Sequence, residues 1–530
     1  MDKGRPALRR ALLVAAGLVP AAFAALFFAY PFTTILVRGL RDGGSLSLPW
    51  DVLLSGETMQ ILWFTTWQAA VSTVLTLAAG LPLAWVVGRF TFRGRGLVRA
   101  LVLVPFVLPT VVVATAFLAL LPEGVERGLP AILAAHVFFN VAVVTRIVGT
   151  AWEGLGRAPW EAAAALGAGP WQRLREVTLP LLTPALSAAA SLTFLFCFTS
   201  FGVVLILGGP GRSTLETEIY AQAARAFDLR TAAALSLLQL TAVAVALGVA
   251  GRVEARTGGV RTVVAARDAL RRPLGRERAA VTAVLILAGT ALALPLAVLV
   301  ARSFDTGTTA WRRLFEETPA LLVTPWHAVL NSLLFAAVAA ALAVAVGGLA
   351  AAVLARARPG SLDTLVLLPL GASAVMLGFG FLIAFDEAPL DFRSSWWLVP
   401  VAQSLVAAPF VVRIVAPALR SIDPRLREAA AVLGASPARA WREIDVPLIA
   451  RAAGVAAGFA FAIALGEFGA TVFIARAEWP TLPVAIFRFL GRPGAENQSL
   501  AAALAVCLAT LTVVAATVLE RTAAGRRGPL

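Results

Sequence analysis

Apolar runs of twenty residues or more recur along these 530 residues, and they decide the fold class before any motif does. A helix needs about 20 consecutive apolar residues to cross a bilayer, and within the hydrocarbon every backbone polar group must be paired inside the structure. Runs of that length fall at 11–37, 59–88, 98–121, 129–151, 185–208 and 231–251, and again at 279–301, 326–354, 363–385, 395–418, 452–475 and 499–519. The expected fold is all-α: a polytopic membrane protein of about twelve transmembrane helices. A chain that is 59% hydrophobic and only 14% charged has too few charged groups to solvate a globular surface. The first run follows Lys3, Arg5, Arg9 and Arg10 and begins like a signal peptide. It is longer than a typical secretory apolar region and no small-residue cleavage site ends it, so it reads as an uncleaved span.

The spans form two sets of six, and the chain repeats itself. Glu161–Pro170 reads EAAAALGAGP and returns 267 residues later as EAAAVLGASP at Glu428–Pro437, differing only at Ala165/Val432 and Gly169/Ser436. The same register pairs Arg175 with Arg442, Glu176 with Glu443, Val177 with Ile444 and Pro180 with Pro447. It extends to Arg146/Arg413, Phe194/Phe461, Phe201-Gly202/Phe468-Gly469 and Thr214-Leu215/Thr481-Leu482. Self-similarity of this kind marks two copies of one structural unit. The division it suggests is a first repeat over 1–251 with a loop at 152–184, a polar linker at 252–278, and a second repeat over 279–530 with a loop at 419–450. The linker, rich in Arg with Gly258, Gly259 and Gly275, is too polar to span and suffices as a connector.

Charge sets the orientation. A pI near 11.4 and a net charge of +15 suggest nucleic acid at first sight, but the basic residues sit in short loops between apolar runs and make no basic face. Lys and Arg beside span ends remain cytoplasmic. The N-terminus, Arg89–Arg99, the loop after Arg157, Arg252–Arg278, Arg356–Arg358, Arg425–Arg442 and Arg521–Arg527 all fall on one side if twelve helices alternate, with both termini cytoplasmic. Cys197 and Cys507 lie inside apolar runs as small core residues, and His136 and His327 are isolated. Neither a disulfide framework nor a metal site can be assembled.

The repeated loop has a local logic. The alanines after Glu161 favour helix, Gly167 can end that helix in a left-handed conformation, and Pro170 suits the first turn of a second helix. Thr178–Pro184 is expected to break that second helix before the next span. One Ala-rich loop of this kind would be an ordinary connector; two in equivalent positions argue for a surface that docks another protein.

This pattern resembles the signature loop of the membrane subunits of bacterial ABC importers: Glu-Ala-Ala, a glycine six residues after the Glu, an aliphatic residue ten further on, then x-aliphatic-Pro. Carried over, the matching positions are Glu161, Ala162, Ala163, Gly167, Val177, Leu179 and Pro180 in the first repeat. In the second they are Glu428, Ala429, Ala430, Gly434, Ile444, Val446 and Pro447. The resemblance implies the type I importer permease fold, with loops that act as coupling helices on an ATPase subunit. The chain's sole lysine is Lys3, so the phosphate-binding G-x-x-x-x-G-K-[ST] sequence cannot be present. ATP and Mg then belong to a partner, expected as two copies of a separate ATPase. An extracytoplasmic binding protein would deliver the solute, the lipid bilayer is the remaining partner, and no nucleic acid and no cofactor of the chain's own is expected. The setting implied is the bacterial inner membrane.

The fused two-loop form looks most like the permeases of thiamine and iron(III) importers, and Thr214-Leu215-Glu216 with Ile219-Tyr220 is similar to the thiamine type. Glu467-Phe468-Gly469-Ala470-Thr471 also resembles oxyanion permeases for sulfate or molybdate. Glu467 stands out as nearly the only buried carboxylate, opposite Ser200 in the repeat register. Two uses are open to it: facing the pathway, where a carboxylate favours a cation, or pairing with Arg476 or Arg488. Phe194 and Phe461 are candidate pathway residues, although packing between spans is their simpler use. The rival class is an ion-coupled secondary transporter with six-plus-six repeats, which ordinarily shows coupling charges within the membrane that are scarce here.

Overall fold

The computed structural model describes residues 17–42, 45–156, 158–209, 211–257, 270–355, 373–386 and 390–524. Lys3, Arg5, Arg9, Arg10, Arg157, Arg356, Arg358 and the central part of the linker lie outside these residues, as does the first half of the expected span at 363–385. Among the described residues ten helices are long and apolar enough to cross a membrane, or eleven if one bent pair is counted as a span. They are α1 (Gly17–Leu40), α2 (Gly56–Arg89), α5 (Leu129–Gly154), α7 (Pro170–Phe198), α8 (Leu229–Thr257), α9 (Arg276–Arg302), α10 (Pro325–Leu354), α12 (Leu398–Arg420), α14 (Ala438–Gly466) and α15 (Ala495–Val518). The bent pair is α3 (Arg95–Val107) and α4 (Thr110–Leu120); α6 (Ala158–Ala165), α11 (Ala374–Ala384) and α13 (Pro424–Val432) are shorter. The only strands described are two residues each, Arg41–Asp42 and Ser45–Leu46.

Three boundaries differ from the sequence expectation. The run at 98–121 is two helices meeting at 97°, not one span. Pro109 carries no N–H and excludes the helical conformation from Leu108, which is extended at φ −65°, ψ 139°. The spans expected at 185–208 and 452–475 end earlier, at Phe198 and Gly466, and short separate helices follow at Gly202–Leu207 and Thr471–Ile474. They also start earlier, because Pro180 and Pro447 do not break the chain. The second loop helix runs into the span through one wide π-helical stretch, Arg173–Thr178 in the first repeat and Trp441–Asp445 in the second. A proline lacks the donor to position i−4 and its ring crowds that carbonyl; one π turn places the misfit where the missing bond does not interrupt the helix.

The sequence register reappears as atomic contacts. Thr65 Oγ1 accepts from the Leu215 N–H at 3.1 Å, and its counterpart Ser332 Oγ accepts from the Leu482 N–H at 2.7 Å. A Cβ on Gly80 would sit 2.7 Å from Val144, and one on Gly347 would sit 3.0 Å from Val411. The α2–α5 and α10–α12 crossings therefore rest on the same two positions.

The compact units are not the linear halves. One unit comprises 50–218 and 234–305; the other comprises 1–49, 219–233 and 306–530. In the first, α9, the opening helix of the second repeat, packs Val281 against Val86 and Phe90. In the second, α1, the opening helix of the first repeat, lays Phe27 and Phe28 among Phe381, Phe385 and Trp397. Each repeat thus lends its first helix to the other unit. Apolar residues with no cross-strand or polar register leave such a choice of partner helix to shape alone.

Candidate functional site

The two loops carry the same backbone. In the first, the Gly167 N–H donates to the Ala164 carbonyl at 3.0 Å and the Ala168 N–H to the Ala163 carbonyl at 3.0 Å. In the second, Gly434 donates to Ala431 at 3.0 Å and Ala435 to Ala430 at 2.9 Å. These paired bonds are the Schellman closure, which needs a left-handed residue just past the helix. Gly167 and Gly434 supply it at φ +86° and +80°. A Cβ at either would meet open space, so the requirement is one of backbone conformation only.

The one informative difference between the ten-residue motifs, Gly169 against Ser436, falls at the start of the second helix. In the first loop Gln172 Oε1 accepts from the Gly169 N–H at 2.9 Å; in the second Ser436 Oγ accepts from the Arg439 N–H at 3.3 Å. Each loop uses one half of the reciprocal capping arrangement to satisfy an orphan donor.

Glu161, Ala162, Glu428 and Ala429 are exposed, Ala163 and Ala430 half-buried, and so are Val177 and Ile444. Leu179, Pro180, Val446 and Pro447 are exposed on the span side of the π turn. The structure therefore places the matched residues of each motif on one helix–turn–helix. It also shows a residue pair that motif matching passed over: Leu166 and Leu433, one position before the turn glycines, are 89% and 86% exposed.

What ties each loop to its unit differs. In the first, Trp160 lies between Arg89 and Arg173, each guanidinium 3.9 Å from the same ring centroid, so they occupy opposite faces. In the second, Arg427 stands at the Trp160 position and pairs with Asp445, Nε at 2.8 Å and a terminal nitrogen at 2.7 Å. Asp445 is buried within the π turn, where the first loop has Thr178, whose hydroxyl donates to the Arg173 carbonyl at 3.2 Å.

Glu467 pairs with neither Arg476 nor Arg488 in the described contacts. Its carboxylate accepts from the Ala470 N–H at 2.7 Å and the Thr471 N–H at 3.1 Å, capping the short helix after the span break. It is not nearly the only buried carboxylate either: Glu216 and Asp445 are both buried, Glu216 accepting from Gln239 Nε2 at 2.9 Å. Ser200 is buried at the matching break in the first repeat. Phe194 stacks on Phe198 at 5.7 Å, and Phe461 packs against the α10–α12 core. Separately, α2, α5 and α7 hold a buried polar cluster that sequence reading did not assemble. Ser72 Oγ meets His136 Nδ1 at 3.0 Å, and Asn140 Nδ2 reaches Cys197 Sγ at 3.5 Å. The repeat-equivalent positions of Ser72, Asn140 and Cys197 are Ala339, Ala407 and Ala464. No cluster of metal-ligating side chains occurs among the described residues.

A duplicated bundle with two matched helix–turn–helix loops defines a class, and the chain belongs to the family of binding-protein-dependent transport system inner membrane components, whose model matches residues 80–258 and again 343–527. Each match takes in one loop, and the exchanged helices α1 and α9 lie outside both. Over 524 residues the chain is 30% identical to the thiamine transport system permease protein ThiP of Brucella abortus (strain 2308), covering 93% of each. It is 26% identical over 546 residues to the protein of that name from Escherichia coli (strain K12), covering 96% of this chain and 98% of that one. A third relative, the probable ABC transporter permease protein y4fN of Sinorhizobium fredii (strain NBRC 101917 / NGR234), is 28% identical over 516 residues, covering 89% of each. The chain is a multi-pass inner-membrane permease of the ABC importer kind with both repeats in one polypeptide.

Proposed function

We propose that this chain forms the pathway for a thiamine-like solute in an importer powered by a separate ATPase. Two ATPase copies engage the two loops from the cytoplasm, where both termini also lie, and carry the ATP and Mg. An extracytoplasmic binding protein hands over the solute. The observation that carries the reading is the identical folding of the two loops, each ending in an exposed leucine and each continuous with a span. α7 is 29 residues long, about 44 Å at the rise of an α-helix, so a push on the loop tip is delivered along one rigid rod. Closure of two ATPases would draw both rods together and alternate the access of the pathway. Thiamine is preferred to ferric iron because two of the three relatives named above are thiamine permeases.

The test is reconstitution in proteoliposomes with the cognate ATPase and binding protein. Uptake of labelled thiamine that requires all three components is expected, with ferric iron not taken up. Gly167→Val together with Gly434→Val should leave the chain folded and abolish ATP-driven uptake; undiminished uptake in the double variant overturns the reading.

A further inference from the structure

At the base of the first loop, where it meets the end of α2, is a cavity of about 440 Å³. Four arginines line it, Arg89 from α2, Arg173 from the loop, and Arg271 and Arg272 from the end of the linker, against one carboxylate, Glu161. We propose that this cavity is a binding site for a phosphate-bearing anion, supplied either by a phospholipid headgroup or by a free phosphorylated metabolite.

The site is built rather than draped. The Thr91 N–H donates to the Arg271 carbonyl at 2.9 Å and the Arg271 N–H to the Arg89 carbonyl at 3.2 Å, which pins the linker to the end of α2. The Arg271 guanidinium is held by both carboxylate oxygens of Glu277. Arg89 and Arg173 are fixed on the two faces of Trp160, whose ring N–H is buried with no hydrogen-bond partner among the described residues. Guanidinium groups gathered in a concavity repel one another, and a phosphate with several acceptor oxygens relieves that repulsion through paired, charge-assisted bonds.

The other repeat provides the contrast. The equivalent cavity, lined by Ala355, Leu419, Arg420, Ile422, Pro424 and Arg427, is about 200 Å³. There Asp445 already neutralises Arg427 at 2.7 Å. The second repeat neutralises Arg427 with a carboxylate of its own loop, whereas the first has Trp160 and Thr178 at those two positions; of its four arginines Arg271 is paired with Glu277, and among the described residues its cavity is the wider. An occupant would touch the linker and the loop together, so its presence would restrain the loop that continues into α7. The cavity lies at the base of the loop, and its anion is independent of which solute the chain carries.

The full chain would be placed in phosphatidylcholine nanodiscs and titrated with inorganic pyrophosphate by calorimetry. Matched nanodiscs containing phosphatidylglycerol would be analysed by native mass spectrometry for retained lipid. A metabolite site predicts saturable, salt-sensitive pyrophosphate binding, about tenfold weaker in Arg272→Glu, kept in Arg272→Lys and unaffected by Arg420→Gln. A headgroup site predicts one retained phosphatidylglycerol that Arg272→Glu loses and that blocks pyrophosphate. Arg272 is exposed, so its variants should unfold at the wild-type temperature. Absence of both ligands from the wild type, or equal retention by wild type and Arg272→Glu, overturns the proposal.

Discussion

The two loops share a backbone and differ in what fastens it. Both close with the same pair of hydrogen bonds and a left-handed glycine, and both pass into a span through a π turn. Yet one is clamped by two arginines on an indole and the other by a carboxylate–guanidinium pair. The shared part is what a moving lever needs: a fixed tip geometry and a continuous rod. The unshared part only has to hold, and an aromatic stack or an ion pair does that equally well.

The sharpest way to break the comparison is at the fastening that tolerates least. Asp445 is 2% exposed while its partner Arg427 is about a third exposed, so the costly change is at the arginine: Arg427→Ala leaves the buried carboxylate without its guanidinium at a cost of about 3 kcal/mol. Arg427→Ala should therefore lower the unfolding midpoint in detergent far more than Thr178→Ala, which loses one hydroxyl bond worth about 1 kcal/mol. Equal shifts would show that the two π turns are not fastened differently. Below that effect comes Trp160→Ala, which removes two cation–π contacts worth together about 1–2 kcal/mol. Joining Trp160→Arg with Thr178→Asp transplants the second fastening into the first loop, and recovery of the midpoint relative to Trp160→Arg alone would show that the fastenings are interchangeable.

The turn glycines test the shared part. Gly167→Ala and Gly434→Ala meet no steric obstacle, so each should cost only the left-handed strain of about 1 kcal/mol. The two costs should match, since φ differs by only 6° between +86° and +80°. A clear difference in midpoint between the two variants would mean that one loop reaches its conformation by tertiary restraint and not by its own closure.

The repeat register was legible because Glu161–Pro170 recurs nearly unchanged, and it proved exact down to Thr65 and Ser332 receiving equivalent N–H groups. The π turns were not: Pro180 and Pro447 are ordinary stop signals, and nothing in the local sequence says that one widened turn will absorb them. The exchange of α1 and α9 was hidden for a different reason, since apolar helices specify neighbours by surface shape, which a linear reading does not show. Glu467 was singled out correctly as buried, but its partners are backbone amides three and four residues ahead, and backbone donors have no letter in a sequence. The Trp160 clamp escaped because Arg89 lies on another helix.

The smallest expected effect on the fold belongs to Leu166 and Leu433. At 89% and 86% exposure they bury almost nothing within the chain, so Leu166→Ser and Leu433→Ser should each change stability by less than about 0.5 kcal/mol. If the loop tips dock into an ATPase, the same side chains become buried in the complex, and an apolar residue lost from such a contact costs about 1–3 kcal/mol of binding. Co-purification with the ATPase should therefore fall roughly ten- to a hundredfold in the double variant while the unfolding midpoint stays fixed. Comparing the single variants then asks whether the two loops, alike in backbone and unlike in fastening, bind their ATPase copies equally. Equal losses would place the asymmetry wholly at the base of the loops, beside the first-repeat cavity and the Arg427–Asp445 pair; unequal losses would carry it out to the docking surface itself.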